Sequence, residues 1–271
     1  MKNSLLVALA MLMLLIITPA NDLNAQCFKG PDGALVDAAG QPCVNTIVTA
    51  VPFLRIVSDA RSGAMGDVGL AISADPNAMQ HNAAKLAFTE QNLAVSATYT
   101  PWLQALGLSD VYLANINGFK QIDDLSTVGF GLKYFSLGEI QFTDENGQPL
   151  GNGNPNEFEI SGAYARKMND NLSASITGKF IYSNLAAGQN VGGEDITAGT
   201  AFAADIGLLY KLPSSNDNQM SIGLALSNIG SKISYTSTVS KEFLPANIGL
   251  GFAYELNPNQ SNRLTFALDI N

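Results

Sequence analysis

From about residue 92 to the end, the chain alternates bulky apolar residues with small or polar ones at period two. Over 126–136, Val128, Phe130, Leu132 and Tyr134 fall on one face, and Thr127, Gly129, Gly131 and Lys133 on the other. The same pattern recurs over 157–167, 172–183, 201–212, 219–228, 247–256 and 263–271, and more weakly over 92–102 and 109–119. Successive side chains of a strand point to opposite sides, so this period predicts about nine β-strands. Each is roughly ten residues long, longer than the five or six common in soluble sheets and long enough to cross a bilayer when tilted.

The composition of the two faces decides between a soluble sandwich and a membrane barrel. A sandwich hides its apolar face and charges its outer one. Here the second face is Gly, Ser, Ala and Thr with an occasional Lys, Asp or Glu, as a narrow or filled lumen requires. Tyr99, Trp102, Tyr134, Tyr182, Tyr210 and Tyr254 fall near predicted strand ends, where interfacial aromatics belong. The connections alternate too. Lys120–Leu125, Lys167–Asn171, Pro213–Asn218 and Asn257–Asn262 are short, whereas Glu139–Asn156, Asn184–Gly199 and Ile229–Pro245 are long. Outer-membrane barrels have short periplasmic turns and long external loops. The expected fold is therefore all-β, an antiparallel transmembrane barrel of the outer membrane occupying residues 91–271, whose first strand starts on the periplasmic side. An odd strand count, and an ending at Asp269-Ile270-Asn271 inside an alternating strand, lead us to expect further strands beyond Asn271, because an open edge in lipid leaves unpaired backbone groups.

The N-terminus supplies the compartment. Lys2 precedes thirteen consecutive apolar residues, Leu5 to Ile17. At 1.5 Å per residue these span about 20 Å, too short for a hydrocarbon core of about 30 Å. Residues 1–25 therefore read as a signal peptide cut after Ala25. Gln26, not a small residue, precedes Cys27, so no lipid anchor is expected. Cys27 and Cys43 are the only cysteines, and export makes a disulfide across their turn-rich interval the expected state. They lack the histidines of a zinc site, and no metal or cofactor is expected. The formal net charge of −9, from 14 Lys+Arg and 23 Asp+Glu, provides no cationic face for nucleic acid. Charged residues make up 14% of the chain, below the roughly 25% of average proteins, and apolar residues 46%, too many for a disordered chain.

Residues 26–90 are expected to be an N-terminal extension and hatch; within them residues 44–90 differ from the rest, reading as a small helical subdomain or a segment folded inside a larger cavity. Asp75 is placed to cap a short helix, with Pro76 in its first turn. This region carries a resemblance. Val51-Pro52-Phe53-Leu54-Arg55-Ile56, Asp59-Ala60-Arg61-Ser62-Gly63-Ala64-Met65-Gly66-Asp67, Ala74-Asp75-Pro76-Asn77-Ala78 and His81-Asn82-Ala83-Ala84-Lys85-Leu86-Ala87-Phe88 resemble the PorV family, as do Tyr99-Thr100-Pro101-Trp102-Leu103 and Asp110-Val111-Tyr112-Leu113-Ala114. One departure is Asn82-Ala83-Ala84, where the family usually has Asn-Pro-Ala.

The resemblance implies a FadL-like barrel of fourteen strands with an N-terminal hatch, in the type IX secretion system of Bacteroidetes. Arg61, Asp67, Asp75, His81 and Asn82 fall in that hatch. It also implies a role, which is to bind the C-terminal signal domain of secreted cargo at the external mouth and shuttle it from the translocon barrel to a sortase-like attachment protein, amid outer-membrane lipid. Phe142, Leu150, Leu185, Val191, Phe243 and Leu244 are then the candidate cargo contacts, being apolar residues set among Gly, Asn and Ser in the long loops. Two other functions stay open. One is a conduit for hydrophobic small molecules. The other is an acyl hydrolase, which would need His81, the only histidine, as its base; no Gly-x-Ser-x-Gly accompanies it, and a ring bonded to backbone is the plainer expectation. The chain is not expected to be an enzyme.

Overall fold

The computed structural model describes residues 28–29, 35–36, 49–143, 146–191, 194–213, 218–236, 241–259 and 262–271. Cys27, Cys43 and the leader at 1–25 lie outside the described residues. The chain forms two compact units, Met1–Val48 and Thr49–Asn271. In the first, Phe28–Lys29 pairs antiparallel with Leu35–Val36.

The second unit is built on one nine-stranded antiparallel sheet wrapped against an inner segment, with two small two-stranded sheets in its loops. Its nine strands are β1 (Leu93–Pro101), β2 (Val111–Gln121), β3 (Ser126–Leu137), β4 (Asn156–Lys167), β5 (Leu172–Asn184), β6 (Gly199–Leu212), β7 (Gln219–Gly230), β8 (Asn247–Asn259) and β9 (Asn262–Ile270). Each pairs with the next in sequence order, and β1 and β9 form the two edges, so the sheet is open. No helix among the described residues is long and apolar enough to cross a membrane.

The wall is inside-out relative to a soluble protein. Its exposed rows carry Val95, Ile116, Phe130, Ile160, Ile176, Phe202, Phe252 and Leu268, while Lys133, Glu157, Glu159, Thr177 and Lys179 are buried on the concave side. Water would penalise both choices; hydrocarbon outside and a filled interior reward both. Aromatic rings run around the long-loop end of the outer face. Tyr99 lies 5.1 Å from Tyr112, Tyr112 6.0 Å from Tyr134, Phe158 4.9 Å from Tyr182 and Phe180 5.3 Å from Phe202. On β6, Phe202 and Tyr210 are eight residues apart, about 27 Å of strand, which a tilt of about 40° shortens to roughly 20 Å, close to the apolar band of such barrels. Trp102 is the exception to the expected aromatic belt, since it packs into the interior, edge-on to Phe135 at 6.2 Å.

Residues 49–90 fill the lumen, one of the two fates expected of the chain before its first strand. They enter at the long-loop end, where Thr49 bridges Phe243, and leave at the short-turn end, where β1 begins. Between lie short helical pieces at Pro52–Arg55, Ala60–Ala64, Pro76–Gln80 and Ala83–Phe88. Asp59, Asp75 and Asn82 each cap one of them, accepting from backbone N–H groups through their side chains. The wall makes room with glycine. A methyl group on Gly129 would overlap Met79, on Gly207 Asn82, and on Gly223 or Gly251 Leu70. The small inward face is thus the imprint of the hatch.

Candidate functional site

The long-loop mouth is closed from within. Val51, Phe53 and Leu54 of the hatch meet Val111, Leu113, Phe135, Ile181 and Ala201 of the wall, and Ile233 and Leu244 fold in from the loop between β7 and β8 to complete one apolar cluster. Phe53 and Ile233 are fully buried. Ala50 donates its N–H to the Phe243 carbonyl at 2.9 Å, and Ile233 and Glu242 exchange backbone hydrogen bonds. The loop and the start of the hatch are therefore one strap across the lumen.

The candidate cargo residues separate on this framework. Phe243 is 54% exposed, with the Lys232 ammonium 4.0 Å above its ring, and Leu185 is also exposed. Leu244, expected as an outward contact, is only 4% exposed and belongs to the plug, because alternation across the strap turns it inward. Phe142 is half-buried in a hairpin of Ile140–Thr143 with Pro149–Gly153, its ring resting where a side chain on Gly153 would be. The backbone of Leu150 lies in that hairpin and that of Val191 in the small ladder Asn190–Val191 with Glu194–Asp195; their side chains lie outside the described residues. The loops are joined in pairs. Thr197 donates to the Tyr235 carbonyl at 2.8 Å, tying the β5–β6 loop to the β7–β8 loop. Glu139 N–H donates to Asp110 at 2.7 Å, tying the β3–β4 loop to the β1–β2 turn.

Below the plug lies a feature that alternation alone does not reveal. Lys179 on β5 donates to Asp205 on β6 at 2.7 Å and to the Asn228 side chain on β7 at 3.0 Å, with Glu159 on β4 at 3.9 Å. Lys133 on β3 donates to the Ile56 carbonyl of the hatch at 3.1 Å. A register irregularity in the β6–β7 pairing falls at Asp205, and Asn228 opposite takes φ +59°, a backbone that asparagine tolerates. In the sequence these are scattered single charges; strand register brings them to one level. Sequence reading also had no signal for Asp269, which accepts the Gly69 and Leu70 N–H groups at 2.6 and 2.9 Å and so fastens the hatch to β9.

Of the predicted hatch residues, two pair with each other and a third spans hatch and wall. Arg61 pairs with Asp75 at 2.7 Å and donates to the Ser73 carbonyl at 3.0 Å. Asn82, buried, donates to the Leu70 and Leu208 carbonyls at 3.1 and 2.9 Å and so spans hatch and wall. The Asn-Ala-Ala departure leaves this bracket intact. Asp67 sits apart in a turn with φ +63°. Among the described residues the buried His81 Nε2 has no hydrogen-bond partner, and the ring lies against Gly69, where a side chain would collide with it.

Burial, reinforced by the nearby Lys85 charge, holds the His81 imidazole down at about 3, and burial lowers the Lys85 ammonium to about 8. Lys85 donates to the Gly69 carbonyl at 2.5 Å. Because His81 is neutral in the fold but charges at 6.5 when unfolded, its stabilising contribution is present above pH 6.5 and fades as pH falls toward 3. At pH 4 the loss is about 3 kcal/mol. Thermal melts in detergent at pH 7 and pH 4 should show a drop that shrinks markedly in His81→Gln; an unchanged drop would place the acid sensitivity elsewhere.

A wall apolar on its exposed face and polar on its concave one, wrapped around an inner segment, defines the class: an all-β protein with a barrel-like antiparallel sheet. The family model for type IX secretion system protein PorV matches residues 39–271, and the chain belongs to that family. It is thus a protein of the type IX secretion system. No curated protein matches the chain.

Proposed function

We propose that this barrel sits in the outer membrane with its long loops at the cell surface. There it binds the C-terminal signal domains of secreted cargo and passes them from the translocon to a sortase-like attachment protein. The observation that carries this reading is the apolar plug of Val51, Phe53, Leu54, Ile233 and Leu244, which supports binding at the mouth over passage through it. Above the plug the exposed anchors are Phe243 and Leu185, set in loops tied to one another by backbone hydrogen bonds. A few apolar anchors on polar, glycine-rich loops suit partners that vary in sequence.

The test uses the full-length protein in nanodiscs and a purified cargo signal domain. Phe243→Asp and Leu185→Asp should each weaken binding by about tenfold or more, the scale of losing an interface anchor. Undiminished binding in both variants would remove the loops from the cargo surface.

A further inference from the structure

The turn between β1 and β2 is unlike the other connections at its end of the barrel. The long loops carry Asp144 and Glu145, Glu194 and Asp195, and Lys232, Lys241 and Glu242, whereas from Gln91 to Ser109 the chain has no charged residue at all. The turn is a short 3₁₀ piece, Gln104–Leu106, flanked by left-handed residues at Leu103, φ +56°, and Gly107, φ +86°. A leucine in that conformation costs about 1–2 kcal/mol, and glycine would take it freely. The strained turn presents Leu103, Leu106 and Leu108, and Leu106 is 75% exposed. Trp102 at its base is fixed in the opposite direction, inward against Phe135.

Three exposed leucines on a turn whose one charge, Asp110 at its far end, is engaged by the Glu139 N–H are out of place in water and in place at a bilayer edge. Just below them on the outer wall runs the aromatic row Tyr99, Tyr112 and Tyr134, contiguous with the apolar belt. We propose that the turn is an interfacial foot whose leucines enter the acyl chains at the rim of the leaflet facing the long-loop end. It fixes the depth and tilt of the barrel beside its mouth. The proposal rests on reading the exposed rows of the wall as lipid-facing. Lipid is favoured over a protein partner by the continuity with that belt and by the lack of charge from Gln91 to Ser109, the stretch that holds the three leucines.

Trp102 is the only tryptophan, so a single-emitter design is available. In a Trp102→Phe background, tryptophan is placed at Leu106 in one variant and at Phe252, on the exposed face of β8, in another. Each is reconstituted in phospholipid vesicles with plain or acyl-brominated chains, and iodide serves as the aqueous quencher. The expected result is that both variants lose most of their emission to brominated lipid and little to iodide. Emission of the Leu106→Trp variant quenched by iodide alone puts the turn in water and overturns the proposal. Emission shielded from both quenchers puts the turn under protein and overturns it equally. In either case lipid quenching at Phe252→Trp keeps the barrel reading intact. If the Phe252→Trp variant also escapes brominated lipid, the lipid-facing assignment of the wall fails first, and the foot fails with it.

Discussion

Replacing Lys179 with methionine should destabilise the barrel by about 3–5 kcal/mol, the usual consequence of removing one member of a buried ion cluster. Lys179 is the shared cation of Asp205, Glu159 and the Asn228 carbonyl, and its side chain is almost fully enclosed. Without it, the Glu159 and Asp205 carboxylates on β4 and β6 have no cation at ion-pair distance among the described residues. Methionine keeps the length and most of the volume, so the loss reads out charge and not packing. Urea unfolding in a lipid environment, followed by heat-modifiable mobility on gels, gives the midpoint. The double variant Lys179→Met with Asp205→Asn should recover part of the loss, because one orphaned charge is gone. A midpoint unmoved by Lys179→Met would mean that the carboxylates are hydrated, and the lumen wetter than its burial implies.

A second large effect is expected at Gly223. Its missing side chain is the space occupied by the Leu70 carbonyl oxygen, and the Asn82 amide that bonds that oxygen lies 3.2 Å from the same point. Gly223→Val cannot be absorbed by a rotamer change, since the obstacle is backbone. The Gly69–Leu70 stretch must lift from Asp269, and the hatch loses its hold on β7 and β9. Overpacking of this kind costs about 1–3 kcal/mol. Hydrogen exchange should show amides of residues 57–90 losing protection while the amides of β3 to β5 keep theirs. Gly162→Ala, which meets open space on the outer face, is the silent comparison. Uniform loss of protection in Gly223→Val would show instead that hatch and wall unfold as one.

The wall was legible because its two faces differ in kind. Val128, Phe130, Leu132 and Tyr134 against Thr127, Gly129, Gly131 and Lys133 predicted β3 and its polarity, and Ser126–Leu137 is the strand that forms. The cap at Asp75 was legible for the same local reason, a side chain and a proline adjacent in sequence. What escaped reading depends on register between strands distant in sequence. Lys133, Glu159, Lys179 and Asp205 look alike as isolated charges on small faces until pairing aligns them. Leu244 and Trp102 were misdirected by a related limit, because near strand ends and in loops no period dictates which way a side chain turns. The route of the hatch was half legible. Composition marked residues 44–90 as different, but only tertiary contacts show that the segment enters beside Phe243.

That route constrains biogenesis. Residues 49–90 begin at one mouth and end at the other, continuous with β1, and Asn82, Ser173, Asp269 and Lys133 bond them to the wall along the way. A wall completed ahead of such a core would have to admit a free end lengthwise past strands already bonded to one another. Laying the staves around the core avoids this, so Thr49 is expected to reach the far side while the edges β1 and β9 are still open.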